Sequence, residues 1–347
     1  MTYDSKIAAR KEEHIKACLD PESQASPPHH SVFDPYFLEP EALPELALSE
    51  VDLATRFLGK TLAAPVIVSS MTGGPLKGAI INRNLATAVE ALGLGMGVGS
   101  QRIAIEDPST RRSFEVRPFA PTAVILGNLG AVQLGLGYGA KQAIEAVEML
   151  GADGLFLHLN AVQEAVQPGG DTNFRGIGDH IEALVRAVPF PILAKECGAG
   201  IGARAAMRLA RAGVAAIDVS GSGGTSWPKV EGMRAHDPLA RSLGDTFKPW
   251  GLPTPLAIAE VRQALPHATL IASGGIRSGL DAAKAIALGA DLVSIAQPVL
   301  AAALDSPDAV IEVLTRFLTE LRVACFGVGA KTPAELRAMQ PIRTFQK

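Results

Sequence analysis

From Pro65 onward the chain alternates short apolar runs with helical stretches: PVIVSS, LGMGVGS, AVILGNLG, GLFLHLN, PILAKE, AAIDVSG, TLIASGG and DLVSIAQ. These eight runs predict eight strands. They are apolar without strict alternation, which suits strands buried on both faces in an all-parallel sheet covered by helices. Most helical patterns between them end in glycine just before the next strand, at Gly93, Gly151, Gly213 and Gly289, where a C-cap needs positive φ. A doubly wound open sheet is the alternative with the same rhythm. No stretch satisfies G-x-G-x-x-G after the first strand, and polar residues cluster at the C-terminal strand ends around the whole series. The pattern therefore predicts an α/β fold, a closed (β/α)8 TIM barrel.

Two segments fall outside that rhythm. Residues 1–60 form an N-terminal extension, a charged helical segment followed by a Pro-rich, His-containing stretch over 27–44, which reads as a lid on the barrel of residues 61–347. A second insertion runs from Gly221 to Pro255 after strand six and carries Trp227 and Trp250; it reads as a long loop. Beyond strand eight, Ser306 and Pro307 supply an N-cap and N1 pair, and Val310, Val313, Leu314, Phe317 and Leu321 follow at helical spacing. That C-terminal helix is read as packing.

Composition narrows the function. A length of 347 residues suits one barrel with an extension, and 48% hydrophobic against 19% charged residues is ample for a large core. The net charge of -3, from 32 basic and 35 acidic residues, leaves no basic surplus to grip nucleic acid or an anionic membrane, so any anion must be held locally. Cys18, Cys197 and Cys325 are odd in number and far apart, which points to reduced thiols rather than a zinc or iron–sulfur site. With no run of about 18 apolar residues and no signal-peptide core, the expected location is the cytoplasm.

Phosphate sites in such barrels are commonly built from the loops after strands seven and eight, where backbone N–H groups and a helix N-terminus face the anion. Strand seven ends in Gly274, Gly275, Ile276 and Arg277, and strand eight in Ala296 and Gln297 before Pro298 opens a helix. A bound phosphate monoester is the sharper reading, and glycines that merely turn the chain are the plainer one. Ser220, Gly221, Gly223, Gly224 and Thr225 after strand six can add donors to the same anion. Strand four ends His158-Leu159-Asn160, and period two sends His158 and Asn160 to one side, with Gln163 and Glu164 following. A lone histidine there would be a core residue; the four together favour a site. Lys195 closes an apolar run, and burial demands a negative partner: an anionic ligand, or a structural pair with Glu196 or Asp218. Glu164, a single carboxylate, suits magnesium and does not suit zinc; a surface glutamate is the alternative. Arg10 and Lys11 can clamp a diphosphate or simply form a solvated helix face, while Ser100, Gln101 and Arg102 after strand two are better placed. His29, His30, His180, His236 and His267 read as surface residues, and no serine or cysteine stands in a convincing triad.

Read in order, several motifs carry a resemblance: Arg10-Lys11, Ser69-Ser70-Met71-Thr72-Gly73-Gly74, Gly99-Ser100-Gln101-Arg102, Gly127-Asn128-Leu129-Gly130, His158-Leu159-Asn160 with Gln163-Glu164, Lys195-Glu196, Thr225-Ser226-Trp227 and Gly274-Gly275-Ile276-Arg277. Over nearly its whole length the chain resembles the type 2 isopentenyl diphosphate isomerases, a flavin-dependent family. The resemblance implies FMN in the barrel mouth, contacted by Ser70, Met71, Thr72, Gly73, Ser100, Asn128, Lys195, Ser220, Thr225, Gly274, Gly275, Ile276, Arg277, Ala296 and Gln297. It implies conversion of isopentenyl diphosphate to dimethylallyl diphosphate, a redox-neutral 1,3 proton shift that nevertheless needs reduced flavin, supplied by NAD(P)H. Arg10, Lys11, Ser100, Gln101, Arg102 and Gln163 would then bind substrate, and Glu164 would hold Mg2+.

On the same resemblance Gln163, His158, Asn160 and Lys195 are the catalytic candidates. Gln163 is neutral and can orient an alkene or relay a proton, but it cannot serve as a strong base, so the cofactor must carry the chemistry. Lys195 near the flavin N1 would stabilise an anionic reduced ring, with His158 and Asn160 fixing the ring and substrate faces. The family is homo-oligomeric, often tetrameric or larger, so a tetramer or octamer is expected. The chain departs from the family pattern at Ser294-Ile295-Ala296-Gln297, at Pro228 after Trp227, and at Cys325-Phe326-Gly327. Two rivals share the fold and phosphate loops: an FMN oxidoreductase such as a 2-hydroxy acid oxidase, and a flavin-binding protein without turnover.

Overall fold

Each of the eight apolar runs forms a strand, and the eight close on themselves. The computed structural model describes residues 3–26, 30–74, 77–340 and 342–344, with side chains from residue 11 onward. Three short strands come first: β1 (Tyr36–Leu38), β2 (Thr55–Phe57) and β3 (Lys60–Leu62). The barrel consists of β4 (Val66–Val68), β5 (Gly95–Gly97), β6 (Val124–Gly130), β7 (Gly154–Leu159), β8 (Ile192–Glu196), β9 (Ala216–Asp218), β10 (Leu270–Ala272) and β11 (Leu292–Ile295). Every neighbouring pair is parallel, and β11 returns to β4 to complete the ring. A last strand, β12 (Ile342–Thr344), pairs antiparallel with β1, Tyr36 opposite Thr344.

Period two sorts the barrel residues. Ile67, Val124, Leu126, Phe156, Leu193, Ala216, Ile271 and Leu292 share one buried cluster, fed by all the barrel strands except β5. That strand contributes glycines because its neighbours need the room: a Cβ on Gly97 would lie 2.5 Å from Ser70 Oγ and 3.5 Å from the Phe156 ring. The β2–β3 hairpin closes the N-terminal end, adding Phe57 and Leu62 to the cluster and setting Lys60 Nζ 2.7 Å from Asp153. With this end sealed, ligand access is left to the C-terminal face, where barrel active sites are built.

The helices are α1 (Tyr3–Leu19), α2 (Lys77–Ala91), α3 (Arg102–Glu106), α4 (Ala140–Leu150), α5 (Ala161–Val166), α6 (Ile177–Ala187), α7 (Ala203–Arg211), α8 (Trp227–Arg234), α9 (Pro238–Thr246), α10 (Thr254–Ala264), α11 (Gly279–Ala287), α12 (Gln297–Asp305), α13 (Pro307–Gly327) and α14 (Pro333–Met339). Gly93, Gly151, Gly213 and Gly289 all have positive φ, as their place before a strand requires. Helix α13 starts where the Ser306 side chain accepts a bond from the Ala309 N–H, and it buries Val310, Leu314, Phe317, Leu321 and Cys325 along one stripe.

The insertion after β9 differs from the expected loop: it holds α8 and α9 as a helical pair. Pro228 and Pro238 stand at the first helical turns, and the Asp237 side chain caps α9 by accepting from Ala240 N–H. The two helices approach so closely that a Cβ on Gly232 would lie 2.8 Å from the Gly244 backbone. The chain before the barrel is stitched to this insertion: Ala25 N–H donates to Gly224 O at 2.7 Å, and Ser226 N–H to Ser23 O at 2.7 Å. No helix of the described residues is long and apolar enough to cross a membrane.

Candidate active site

The C-terminal ends of the strands open onto a cavity of about 600 Å³, roofed by α1 through Lys11, His14, Ile15 and Cys18. Those four lie at spacings of three or four residues, one face of a helix. At the cavity floor and just behind it the register aligns three polar side chains on adjacent strands: His158 opposite Lys195, and Lys195 opposite Asp218. Lys195 Nζ donates to Glu196 O at 3.0 Å and Ser220 Oγ at 3.3 Å, and stands 3.6 Å from Asp218 Oδ2. Burial alone would push the lysine down, but the charge of Asp218, with smaller contributions from Cys197 and Glu196, raises it above its ordinary value. It is therefore an ammonium. Burial, reinforced by that ammonium, pushes His158 down to about 4, so its imidazole is neutral. Asn128 Nδ2 donates to Val98 O at 3.1 Å, which turns its Oδ1 toward His158 Nδ1 at 2.8 Å and makes that nitrogen the donor.

A second group lines the wall on α5 and α8. Asn160 Nδ2 donates to Glu164 Oε1 at 2.8 Å and to Gln163 Oε1 at 3.2 Å, and Asp171 N–H donates to Glu164 Oε2 at 2.8 Å. Gln163 Nε2 in turn donates to Glu231 Oε1 at 2.9 Å, which also faces His14 Nε2 at 3.0 Å, while Arg234 donates to Glu231 Oε2 at 2.6 Å. Burial pushes the Glu231 carboxyl up, but the hydrogen bonds and charges of His14, Gln163 and Arg234 outweigh it and hold it below its usual range. Roof, wall and insertion thus meet on one buried carboxylate. His14 also packs edge-on against Trp227, ring centroids 5.3 Å apart.

The third part is the glycine-rich rim. Gly274 and Gly275 have φ of +94° and +78° and run against the backbone of the loop after β9. Ser220, with φ of +43°, holds the left-handed region without being glycine. Arg277 reaches Gln24 Oε1 at 3.3 Å and Gly223 O at 3.5 Å. Ala296 and Gln297 complete the rim where Pro298 opens α12.

Of the residues singled out from sequence, Ser70, Met71, Thr72, Ser100, Asn128, His158, Asn160, Gln163, Glu164, Lys195, Ser220, Thr225, Gly274, Gly275, Ile276, Arg277, Ala296 and Gln297 line this one cavity, as do Lys11 and Arg102. Two do not. Gln101 is fully buried, with its Nε2 on Ala146 O and its Oε1 accepting from Asn128 N–H; it braces β6 instead of facing a substrate. Gly73 backs onto Phe114, whose ring a Cβ there would strike at 2.1 Å. The Arg10 side chain lies outside the described residues, as does His29. His30, His180, His236 and His267 are exposed, as expected. Sequence reasoning missed His14 and Glu231. His14 was legible as the residue three after Lys11 on the same helix face; Glu231 gave no local signal because its partners come from three distant segments. It also missed Asp171, which pairs with Arg102 at 2.7 Å beside the Arg102–Glu106 pair at 2.8 Å.

The donor set fits a flavin mononucleotide. Ser70 Oγ, Ser294 Oγ and Asn160 Oδ1 are buried in the cavity wall with no hydrogen-bond partner, polar atoms that a bound polar ligand would satisfy. A Cβ on Gly224 would lie 2.8 Å from the Gly275 amide nitrogen, so the rim keeps its amides close and uncovered by side chains, as a phosphate cradle requires. Among the described residues no three acidic, histidine or cysteine side chains gather as a metal cluster. A cation at Glu164 would therefore take most of its oxygens from water and from a ligand's phosphates, which is the habit of magnesium.

The comparisons agree. Residues 160–341 match the FMN-dependent dehydrogenase family model. The chain is 48% identical over 334 residues to the isopentenyl-diphosphate delta-isomerase of Synechococcus sp., covering 96% of each chain. It is 47% identical over 343 residues to that of Xanthobacter autotrophicus, covering 99% of each. Among solved structures, a mandelate oxidase is similar with a TM-score of 0.66 at 17% identity, covering 98% of this chain and 97% of that one. A Pediococcus acidilactici lactate oxidase follows at 0.68 and 18%, covering 97% and 95%; at such identities the likeness shows the shared barrel. Near-half identity along the full length separates this chain from those oxidases, and it belongs to the isopentenyl-diphosphate delta-isomerase family.

Proposed function

We propose that this chain converts isopentenyl diphosphate to dimethylallyl diphosphate by a redox-neutral 1,3 proton shift, using reduced FMN, Mg2+ and NAD(P)H as reductant. The observation that carries this reading is the chain His14–Glu231–Gln163–Asn160–Glu164, a connected wall of acid and amide groups facing the cationic and neutral floor at Lys195 and His158. An oxidase of 2-hydroxy acids would instead want a histidine base with arginines for a carboxylate after strands six and seven.

Ser220, Gly224, Thr225, Gly274 to Arg277, Ala296 and Gln297 would hold the FMN phosphate, and Met71, Thr72, Ser100, Asn128 and Lys195 its ring system. Bound and reduced, FMN would supply the proton exchange with the alkene, since the neutral Gln163 amide cannot serve as a strong base. Arg10, Lys11, Ser100 and Arg102 would take the diphosphate, and Glu164 the magnesium. Arg102 must then leave Asp171 or share it. Lys195 offers a fixed positive charge, His158 a neutral donor-bearing ring, and Gln163 an amide oriented by Glu231 toward the reacting carbons. Residues 1–60 act as the lid of the barrel in this reading, and cytosolic homo-oligomers are its expected setting.

The deciding experiment is anaerobic incubation with FMN, magnesium, NADPH and isopentenyl diphosphate, with and without reductant. Product that needs reductant but consumes no stoichiometric NADPH supports the isomerase; no product from flavin-loaded, reduced enzyme overturns it. Gln163→Ala is expected to lower turnover by about 100-fold or more while FMN binding survives. Loss of flavin from that variant would make Gln163 a structural residue.

A further inference from the structure

Behind the pocket floor lies an acid that the proposed reaction does not touch. Asp218 ends β9, is 0% exposed and is absent from the cavity lining. Its Oδ1 accepts from Ser273 Oγ at 2.5 Å and from Ser220 N–H at 3.2 Å. Its Oδ2 has no hydrogen-bond partner and faces Lys195 Nζ at 3.6 Å. Two donors on one oxygen favour the carboxylate, and the second oxygen is left for the lysine.

The other groups around Lys195 are committed elsewhere. Glu196 turns its Oε2 onto three loop amides, accepting from Gly198, Ala199 and Gly200 at 2.7, 2.5 and 2.9 Å. Cys197 is a thiol, pushed up to about 12 by burial. His158 is the neighbour on the opposite strand and is neutral. Lys195 itself is 8% exposed at the side chain, so its charge depends on a partner inside the protein. Burial carries the Asp218 carboxyl above its ordinary value, and Lys195, Ser273 and Ser220 hold that rise down.

We propose that Asp218 is a positioning residue, an anionic anchor behind the pocket wall that holds the Lys195 ammonium toward the bound ligand. The proposal rests on the FMN reading above for what Lys195 faces, but the anchor itself is a property of the protein alone. An anchored cation at the floor favours an anionic reduced ring over the neutral oxidised one, and the same cation adds to the burial that keeps His158 unprotonated.

The test uses the full chain in two states. In the ligand-free protein, Lys195 is titrated by NMR in the wild type and in Asp218→Asn. Loss of the anchor leaves the buried ammonium without its nearest opposite charge and is expected to lower the Lys195 pKa. In the FMN-loaded protein, Asp218→Asn is expected to weaken binding of reduced relative to oxidised flavin about tenfold, a fall of about 30 mV in the two-electron midpoint potential. A Lys195→Met background should abolish that shift, which a purely structural role for Asp218 would not predict. Should Asp218→Asn fail to fold, Ser273→Ala, which removes the closest donor, should move both readouts the same way by less. An unchanged Lys195 pKa, or an unchanged potential with flavin bound, overturns the anchor. A chain that binds no FMN instead overturns the functional reading, and the Lys195 titration then decides the anchor by itself.

Discussion

Glu231→Ala is expected to lower turnover by about 100-fold and to destabilise the protein by about 3 kcal/mol, because one substitution frees three groups at once. Gln163 loses the acceptor that fixes its amide, and misplacement of a catalytic group by about 1 Å is enough for a 100-fold loss. Arg234 and His14 lose a buried carboxylate, and breaking a buried pair costs about 3–5 kcal/mol; the lower end applies because Arg234 keeps Glu13 at 2.9 Å. Steady-state kinetics and thermal unfolding check both parts. Turnover within twofold of wild type would remove Glu231 from the positioning of Gln163, whatever happened to stability.

The second large effect is expected at Gly274→Ala. Its φ of +94° is unfavourable for alanine, and the added Cβ would sit 1.9 Å from the Gly221 carbonyl oxygen. The obstruction is backbone, so no side chain can swing aside, and the loops after β9 and β10 must part. Strain in the left-handed region costs about 1–3 kcal/mol and overpacking about as much again, so a loss of about 3 kcal/mol is expected, together with loss of FMN from the purified protein. Normal flavin content and an unchanged melting temperature would show that the two loops separate freely and that the cradle does not depend on their contact.

Much of this was legible in the sequence, for identifiable reasons. Strands buried on both faces announce themselves as continuous apolar runs, and glycines such as Gly151 and Gly213 mark the turns because few other residues accept their φ. Residues at the C-terminal strand ends were readable because the barrel brings every such end to one face. Gln101 shows the limit: its polarity and position matched a ligand contact, yet both ends of its amide serve neighbouring backbone. Helices α8 and α9 were hidden in a Gly- and Pro-rich stretch, although Ser226-Trp227-Pro228 and Asp237-Pro238 are helix starts by the same rule that found α13. Glu231 could not be found locally, since its meaning comes only from contacts with His14 and Gln163.

Those contacts have a consequence for how the protein is made. His14 meets Glu231 across 217 residues and Gln24 meets Thr225 across 201, while Tyr36 waits for Thr344. At a synthesis rate of about 5–20 residues per second, α1 leaves the ribosome roughly 10–40 s before α8, on which His14 docks, while Lys11 meets Ser100 and Phe114 sooner. The roof of the pocket is synthesised well before the insertion that holds it and is among the last parts to be seated. A ligand gripping both roof and barrel therefore acts on the final step of assembly, favouring the seated state by mass action.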